Sequence, residues 1–598
     1  MTTDATPDLK RLDQPEEHRK RRRIVKVLET GKGGVIPHPA LDVPVDETEQ
    51  TRSRGVDWVV FGVTAVIAVG FLVWGFLSTP SLKSVSGSAL TWTMENTGWL
   101  FVVTSSGFVL FVLWLAVSRF GAIPLGRDDE EPEFRTISWI AMMFSAGMGI
   151  GLMFYGVAEP LSHLVTPPPG TGEAGNPEAM QTAMATTLFH WTLHPWAIYA
   201  VVGLAIAYGV YRKGRLQLIS AAFAPLIGDR ANGPLGKVID MLAIFATLFG
   251  SAASLGLGAL QIRSGLSIVA GFSATGNAVL VVIIAVLTVA FIFSAVSGVA
   301  KGIQWLSNIN MVLALALALF VFVVGPTVFI LNVIPTSLGS YLQDMAMMSA
   351  RSGAEGAAVD TWLQSWTVFY WAWWLSWTPF VGMFIARISR GRTIRQFVTG
   401  VLLVPSVVSL IWFAIFGGAA ISIQEGGVDL AGEGTTEGQL FTLLDQFPFA
   451  TVASIVVIVL VAIFFVSGAD AASIVMGSLS ERGTIEPSRA TVVFWGAATG
   501  AVAAVMLLVG GDDALTGLQS LTILAALPFV LVMVGLAFAL VKDLRTDPMM
   551  VRQRYAAEAI DDAVIAGVVE HGDDFVIAVE KDPDAGGESN GAGGPAVR

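Results

Sequence analysis

The chain has 598 residues, of which 54% are hydrophobic and 14% charged, with a net charge of −12. A soluble protein carries about 25% charged residues, so the composition excludes an ordinary soluble domain and demands that charge be segregated. The absence of cysteine excludes disulfides, thiolate metal sites and cysteine nucleophiles.

Residues 1–55 are polar and show no short apolar region followed by a cleavage site, so no signal peptide is expected. They hold a basic run, His18-Arg19-Lys20-Arg21-Arg22-Arg23 with Lys26 and Lys32, which fits either contact with anionic lipid or a solvated flank of the membrane domain. Charge-free runs then occupy 58–82, 96–118, 136–158, 179–211, 241–262, 264–300, 302–343, 361–386, 396–424, 446–469, 490–511 and 514–541. A bilayer core takes roughly 20 apolar helical residues, and all of these runs are long enough. Twelve spans are predicted over 56–543, between tails at 1–55 and 544–598. The longest run counts once, because its apolar core, 311–334, is followed by Pro335, Thr336, Ser337 and Ser340, which are placed outside the membrane.

Lys and Arg alternate from loop to loop. Fifteen follow the even-numbered spans: Arg119, Arg127 and Arg135; Arg212, Lys213, Arg215, Arg230 and Lys237; Lys301; Arg387, Arg390, Arg392 and Arg395; Arg482 and Arg489. The opposite loops hold only Lys83, Arg263 and Arg351. Both termini are therefore expected in the cytoplasm of a multi-pass cell-membrane protein.

In the third span, Ser145-Ala146-Gly147-Met148-Gly149-Ile150-Gly151 places glycine at every second position, a poor helix former. Two readings fit: unwound backbone whose freed amides and carbonyls meet an ion or a carboxylate, or close helix packing through small residues. In the fourth span, Trp191, Trp196 and Tyr199 fall within about 140° on a helical wheel, with a break expected at Pro195 between them. His190 and His194 are four apart and fit a metal or proton relay, but no acid stands near them in the sequence, so packing or a hydrogen bond to a neighbouring helix is the preferred reading. The fifth span offers Thr247 and Ser251 one turn apart.

The eighth span reads Trp366-Thr367-Val368-Phe369-Tyr370-Trp371-Ala372-Trp373-Trp374-Leu375-Ser376-Trp377-Thr378-Pro379-Phe380. Trp366, Tyr370, Trp373, Trp374 and Trp377 lie within roughly 100° on one face. Interfacial tryptophans sit near span ends, whereas these reach its middle, where a box of indole faces suits a quaternary ammonium. The tenth span contributes Ser467. Glu159 and Asp470 border charge-free runs, where solvated or capping roles are expected. With no acid or base inside the spans, a hard cation held by carbonyls and hydroxyls is favoured over proton coupling. After Asp543 the tail holds twelve acids and five bases, ends in a Gly-rich stretch that reads as disordered, and allows a short helix and strand over 555–578.

GMGIGLMFYG at 147–156, FHWTLHPWAIYA at 189–200 and WTVFYWAWWLSWTPFVGMF at 366–384 resemble the betaine/choline/carnitine transporter family, over about 56–543, and in particular its actinobacterial sodium-coupled glycine betaine carriers. The resemblance implies an all-α integral membrane protein of twelve transmembrane helices, two five-helix inverted-topology repeats (helices 3 to 7 and 8 to 12), and a homotrimer. It implies an ammonium box with gating aromatics from Trp373, Trp374, Trp377, Trp191, Trp196 and Tyr199, with the Gly147, Met148, Gly149 and Gly151 backbone facing the substrate carboxylate. One sodium would be held by Ser145, Met148, Phe464 and Ser467, and a second by Thr247, Ser251 and the Phe380 ring. Two positions depart from the family pattern. Gly468 replaces a second hydroxyl beside Ser467, and the acidic C-terminal tail replaces a basic helix of the osmosensing members. Gly151 stands where proton-coupled choline carriers have Asp, which favours betaine and sodium.

The expected function is sodium-coupled import of glycine betaine or a related compatible solute by alternating access, for osmoprotection. Ectoine, proline or carnitine, or exchange without sodium, are the alternatives within transport. A channel would need polar rings along its pore, and a betaine-binding sensor would need an output domain. No nucleotide-binding or catalytic signature points to an enzyme, and no nucleic-acid partner is expected.

Overall fold

The computed structural model describes residues 55–572 except 129, 148, 272–276, 298–299, 433–434 and 512. The basic run of the N-terminal tail lies outside the described residues. Helices, in chain order, are α1 (Trp58–Leu77), α2 (Thr79–Val117), α3 (Thr136–Gly147), α4 (Ile150–Val165), α5 (Pro177–Trp191), α6 (Leu193–Ala207), α7 (Pro234–Ala270), α8 (Asn277–Ser297), α9 (Ala300–Val324), α10 (Thr327–Ala350), α11 (Ala357–Ser365), α12 (Thr367–Arg387), α13 (Ile394–Glu425), α14 (Gln439–Asp445), α15 (Ala450–Ser480), α16 (Arg489–Gly510), α17 (Ala514–Arg545) and α18 (Pro548–His571), with a few single turns between. Among the described residues there is no strand, only an isolated bridge between Pro124 and Thr393.

Among the described residues, nine helical segments, one of them the α5–α6 pair, are long and apolar enough to cross a membrane, and a tenth span forms if α9 and α10 are taken together. Their outward faces carry Val66 and Leu77 on α1, Phe293 on α8, Val312 and Val323 on α9, and Val452 on α15, all exposed. Apolar surface this continuous is stable only against lipid.

Proline decides where the helices break. Pro326 has no N–H for the carbonyl of Phe322, four residues back, and the Thr327 hydroxyl takes that carbonyl instead at 2.7 Å. The axis turns by 109° there. The apolar stretch 311–334 is thus not one straight span, as expected, but the end of one helix and the start of another. Pro195 likewise lacks a donor for Trp191, so the break falls at Thr192 (φ −115°, ψ −108°), ahead of the proline rather than at it. In α12, Pro379 leaves the Leu375 carbonyl free, the Thr378 hydroxyl accepts the role at 2.5 Å, and the helix runs on. A further break, at Trp366 (φ −124°, ψ −88°), separates α11 from α12.

Within the membrane unit, α12 packs along α6 on one side and α7 on another; α4 packs on α5 and α13, α7 on α15, and α8 on α16. The helix α18 belongs to a separate compact unit. It starts at Pro548, capped by Asp547 accepting from the Met549 amide at 2.9 Å. It runs to His571 as a single helix, longer than the short helix expected over 555–578, because no proline follows Pro548 before Gly572 and the lone Gly567 is accommodated. The residues beyond 572 lie outside the described residues.

Asp57 ties three helices together. Its carboxylate accepts from the Val59 and Val60 amides at the start of α1 (3.0 and 3.2 Å) and pairs with Lys237 of α7 at 2.8 Å, while its own amide donates to Ser480 of α15 at 2.9 Å. Partial burial pushes this carboxyl up, but the Lys237 ammonium and the two amides outweigh it and hold it below the ordinary carboxylate range. Its contribution is therefore complete above pH ~4 and lost as pH falls through the depressed value. Asp57→Asn keeps the cap but loses the ion pair with Lys237, and should lower the thermal midpoint by the equivalent of up to about 1 kcal/mol at pH 7, and the difference from wild type should shrink when melts are repeated in acid.

Candidate substrate site

The interruption between α3 and α4 falls within the glycine-rich motif, ahead of Ile150. Gly149 is fully extended (φ −169°, ψ −178°), and α4 begins at Ile150. The unwound stretch is shorter than Gly147 to Gly151, since Gly147 still ends α3 and Gly151 is already helical. Met148 and the Ser145 side chain lie outside the described residues. Gly151 serves close packing: a Cβ there would come within 2.7 Å of ring carbons of both Trp191 and Trp373.

All six predicted aromatics meet around one cavity. Trp191, Trp196, Tyr199, Trp373, Trp374 and Trp377 line it with Gly149, Gly151 and Ser409. Trp373 and Trp374 stack with centroids 4.6 Å apart, and Trp191 stands edge-on to them at 6.1 and 4.9 Å. Tyr199 stands edge-on to Trp374 at 6.3 Å. Four indole N–H groups are directed to protein acceptors: Trp191 donates to Glu159 Oε2 (2.7 Å), Trp373 to Ser254 Oγ (3.0 Å), Trp374 to the His190 carbonyl (3.0 Å) and Trp377 to the Gly250 carbonyl (2.9 Å). A ring fixed by its N–H edge has its face and remaining edge left for a ligand. No residue lining the cavity is charged.

Gly149, Ile150, Trp377 and Val381 also line a second cavity of about 250 Å³, together with Ser251, Ser254, Asn310, Phe380, Phe464, Ser467 and Gly468. Most of the expected cation ligands therefore converge on one space. Thr247 is the exception: buried, it is absent from the lining, and its hydroxyl donates to the Ala243 carbonyl at 2.8 Å. The Ser467 hydroxyl also turns back on its helix, to the Ile463 and Phe464 carbonyls at 2.9 and 3.3 Å. Asn310, not singled out in the sequence, is buried in this lining with its Oδ1 unpartnered.

Glu159 overturns its expected solvated role. It is fully buried in the tenth position of α4. One oxygen accepts from Trp191 and from the Tyr370 hydroxyl (2.5 Å), and the other lies 2.6 Å from His190 Nδ1 and 3.5 Å from His163 Nε2. His190 thus has an acid partner after all, and its Nε2 lies 2.9 Å from the Thr367 hydroxyl of α12. Tyr370 in turn stacks against Trp374 at 5.9 Å, so the carboxylate anchors the rear of the box. His194 follows the packing reading, stacked on Trp371 at 4.9 Å with Ser106 at 3.4 Å. Trp366 leaves the aromatic stripe for the His163 ring, 4.4 Å away. Asp470 is buried inside α15, which continues to Ser480, and is not at a span end.

Residues 59–549 match the family described as BCCT, betaine/carnitine/choline family transporter. The chain belongs to that family. It is a multi-pass membrane transporter and not an enzyme. Among its relatives, the betaine/ectoine transporter LcoP of Corynebacterium glutamicum is 48% identical over 544 residues, covering 91% of this chain and 86% of that protein. The glycine betaine transporter OpuD of Bacillus subtilis is 46% identical over 508 residues, covering 85% and 96%. A probable glycine betaine transporter of Desulfitobacterium hafniense is 43% identical, covering 82% and 97%.

In this transporter Glu159 accepts bonds that a neutral amide satisfies only in part, since its NH₂ must face at least one donor. Hydrogen bonds to a buried charge are worth about 1.5–3 kcal/mol each. Glu159→Gln should lower the thermal midpoint by the equivalent of at least about 2 kcal/mol and shift the tryptophan emission of the solubilised protein.

Proposed function

We propose that the transporter imports glycine betaine together with sodium by alternating access. The observation that carries the substrate assignment is the aromatic cavity whose indole N–H groups are turned away and whose lining holds no charge. A trimethylammonium has no N–H to donate and spreads its charge over its methyl groups, so ring faces are the surface that solvates it, worth about 2 kcal/mol or more once water is excluded. The extended Gly149 backbone beside the box suits the substrate carboxylate, as unwound segments do in transporters with broken helices.

Sodium coupling is supported by the chemistry of the second cavity, where hydroxyls, an amide and backbone oxygens of a broken helix surround a space without fixed charge. In this reading one ion takes carbonyls of Ser145, Met148 and Phe464 with the Ser467 hydroxyl, and the other takes Ser251, the Phe380 ring and Thr247 after its hydroxyl swings from Ala243. Gly468 removes one ligand from the first site, which water or backbone then completes. The twelve spans comprise the eight continuous helices α1, α2, α7, α8, α13, α15, α16 and α17, the bent α9–α10 pair, and the broken pairs α3–α4, α5–α6 and α11–α12. They form two inverted five-helix repeats in a homotrimer, with both tails cytoplasmic and the basic N-terminal run near anionic lipid. The name of the 48% identical relative favours ectoine as a second substrate.

Proteoliposomes should accumulate labelled glycine betaine only under an inward sodium gradient, and Trp377→Leu should abolish accumulation. Ser467→Ala should raise the sodium concentration needed for half-maximal uptake several-fold. Accumulation indifferent to sodium would make this chain an exchanger and void both ion assignments.

A further inference from the structure

We propose that Glu159, His163 and His190 form a binding site for a zinc-type divalent ion at the end of α4, behind the aromatic box and separate from the substrate and sodium cavities. One donor atom from each residue lies within 4.8 Å of the other two, and all three side chains are fully buried. Two imidazoles and a carboxylate are a zinc ligand set, completed by water or another ligand in the fourth position.

The spacing fits with little movement. Zinc bonds of ~2.0–2.1 Å place ligand atoms about 3.3 Å apart in a tetrahedron. His163 Nε2 already lies 3.5 Å from Glu159 Oε1, one helical turn away on α4. His190 Nδ1, at 2.6 Å from the same oxygen, would retreat by less than about 1 Å. The groups behind the ligands are also in place. Trp191 and Tyr370 hold the other carboxylate oxygen, so an ion on Oε1 leaves both bonds to the box intact. The Thr367 hydroxyl can accept a hydrogen bond from His190 Nε2–H, the tautomer that leaves the Nδ1 lone pair free, the usual arrangement behind a ligating histidine.

His163 gives the second, independent observation. Its Nδ1 has no hydrogen-bond partner and its Nε2 has only the long 3.5 Å contact to Glu159, although the ring is completely buried and wedged against Trp366. A buried polar ring in that state is costly, and an ion on Nε2 relieves half of the deficit. Arg351, stacked on the neighbouring Trp362 ring at 4.8 Å, adds positive charge to this end of the helices. That charge disfavours every cation, so preference for a zinc-type ion over sodium or magnesium rests on the two imidazole ligands.

The test is titration of full-length, tag-free, chelator-stripped protein with zinc chloride against a chromophoric indicator, with incubation long enough for a buried site to fill. One equivalent per chain should bind with a micromolar or tighter dissociation constant, magnesium should not compete, and His163→Gln should weaken binding at least tenfold in protein with a cooperative thermal transition. Zinc-edge X-ray absorption of the wild type provides the second measurement if His163→Gln fails to fold, and it should show two imidazoles in the coordination shell. The absence of stoichiometric binding, an unchanged affinity in folded His163→Gln, or a shell without imidazole overturns the proposal.

Discussion

An indole presents its face to a ligand only if its N–H is satisfied elsewhere, because a buried donor left unpaired costs about 1–3 kcal/mol. Everything around the box follows from that constraint. The acceptors are a carboxylate, a serine hydroxyl and two carbonyls from three other helices, α4, α5 and α7. The rings of α12 are therefore fixed in position by the helices packed around them. Glu159 is the most demanding of these acceptors, since a buried carboxylate must itself be surrounded by donors, and Trp191, Tyr370 and His190 supply them.

Close approach is the second requirement. Gly151 and Gly250 lie where side chains would strike the box: a Cβ at Gly250 would sit 2.5 Å from Ser376 and 3.0 Å from Trp377. Broken helices supply the remaining backbone freedom. The extended Gly149 and the breaks at Thr192 and Trp366 fall in the helices around the box, and each break exposes main-chain groups to partners outside its own helix.

The aromatic half of the site was legible in part. Of the five rings read on one face of the eighth span, Trp373, Trp374 and Trp377 line the cavity, while Trp366 and Tyr370 turn to His163 and Glu159. The six aromatics that the family resemblance implied all border that cavity. Glu159 was not legible. Reading spans as charge-free runs places residue 159 at the edge of one, while the glycine break restarts the helix at Ile150 and moves the carboxylate into its interior. Its partners lie 31, 32 and 211 residues away, a separation no local pattern reports. The bend after Val324 was missed for a related reason: hydropathy ignores the missing N–H of Pro326, which redirects the chain without lowering its apolarity. Asn310 gave no signal beyond being a polar residue at the start of an apolar run.

The central claim is that ring faces hold the substrate by its charge and not merely by its shape. The direct measurement compares binding of glycine betaine with that of 3,3-dimethylbutanoate, the isosteric anion in which an uncharged tert-butyl group replaces the trimethylammonium, by quenching of tryptophan fluorescence in the purified transporter. Loss of a desolvated cation–π attraction of about 2 kcal/mol predicts binding weaker by roughly thirtyfold. Equal affinity for the two would show that the box recognises volume alone and would contradict the account.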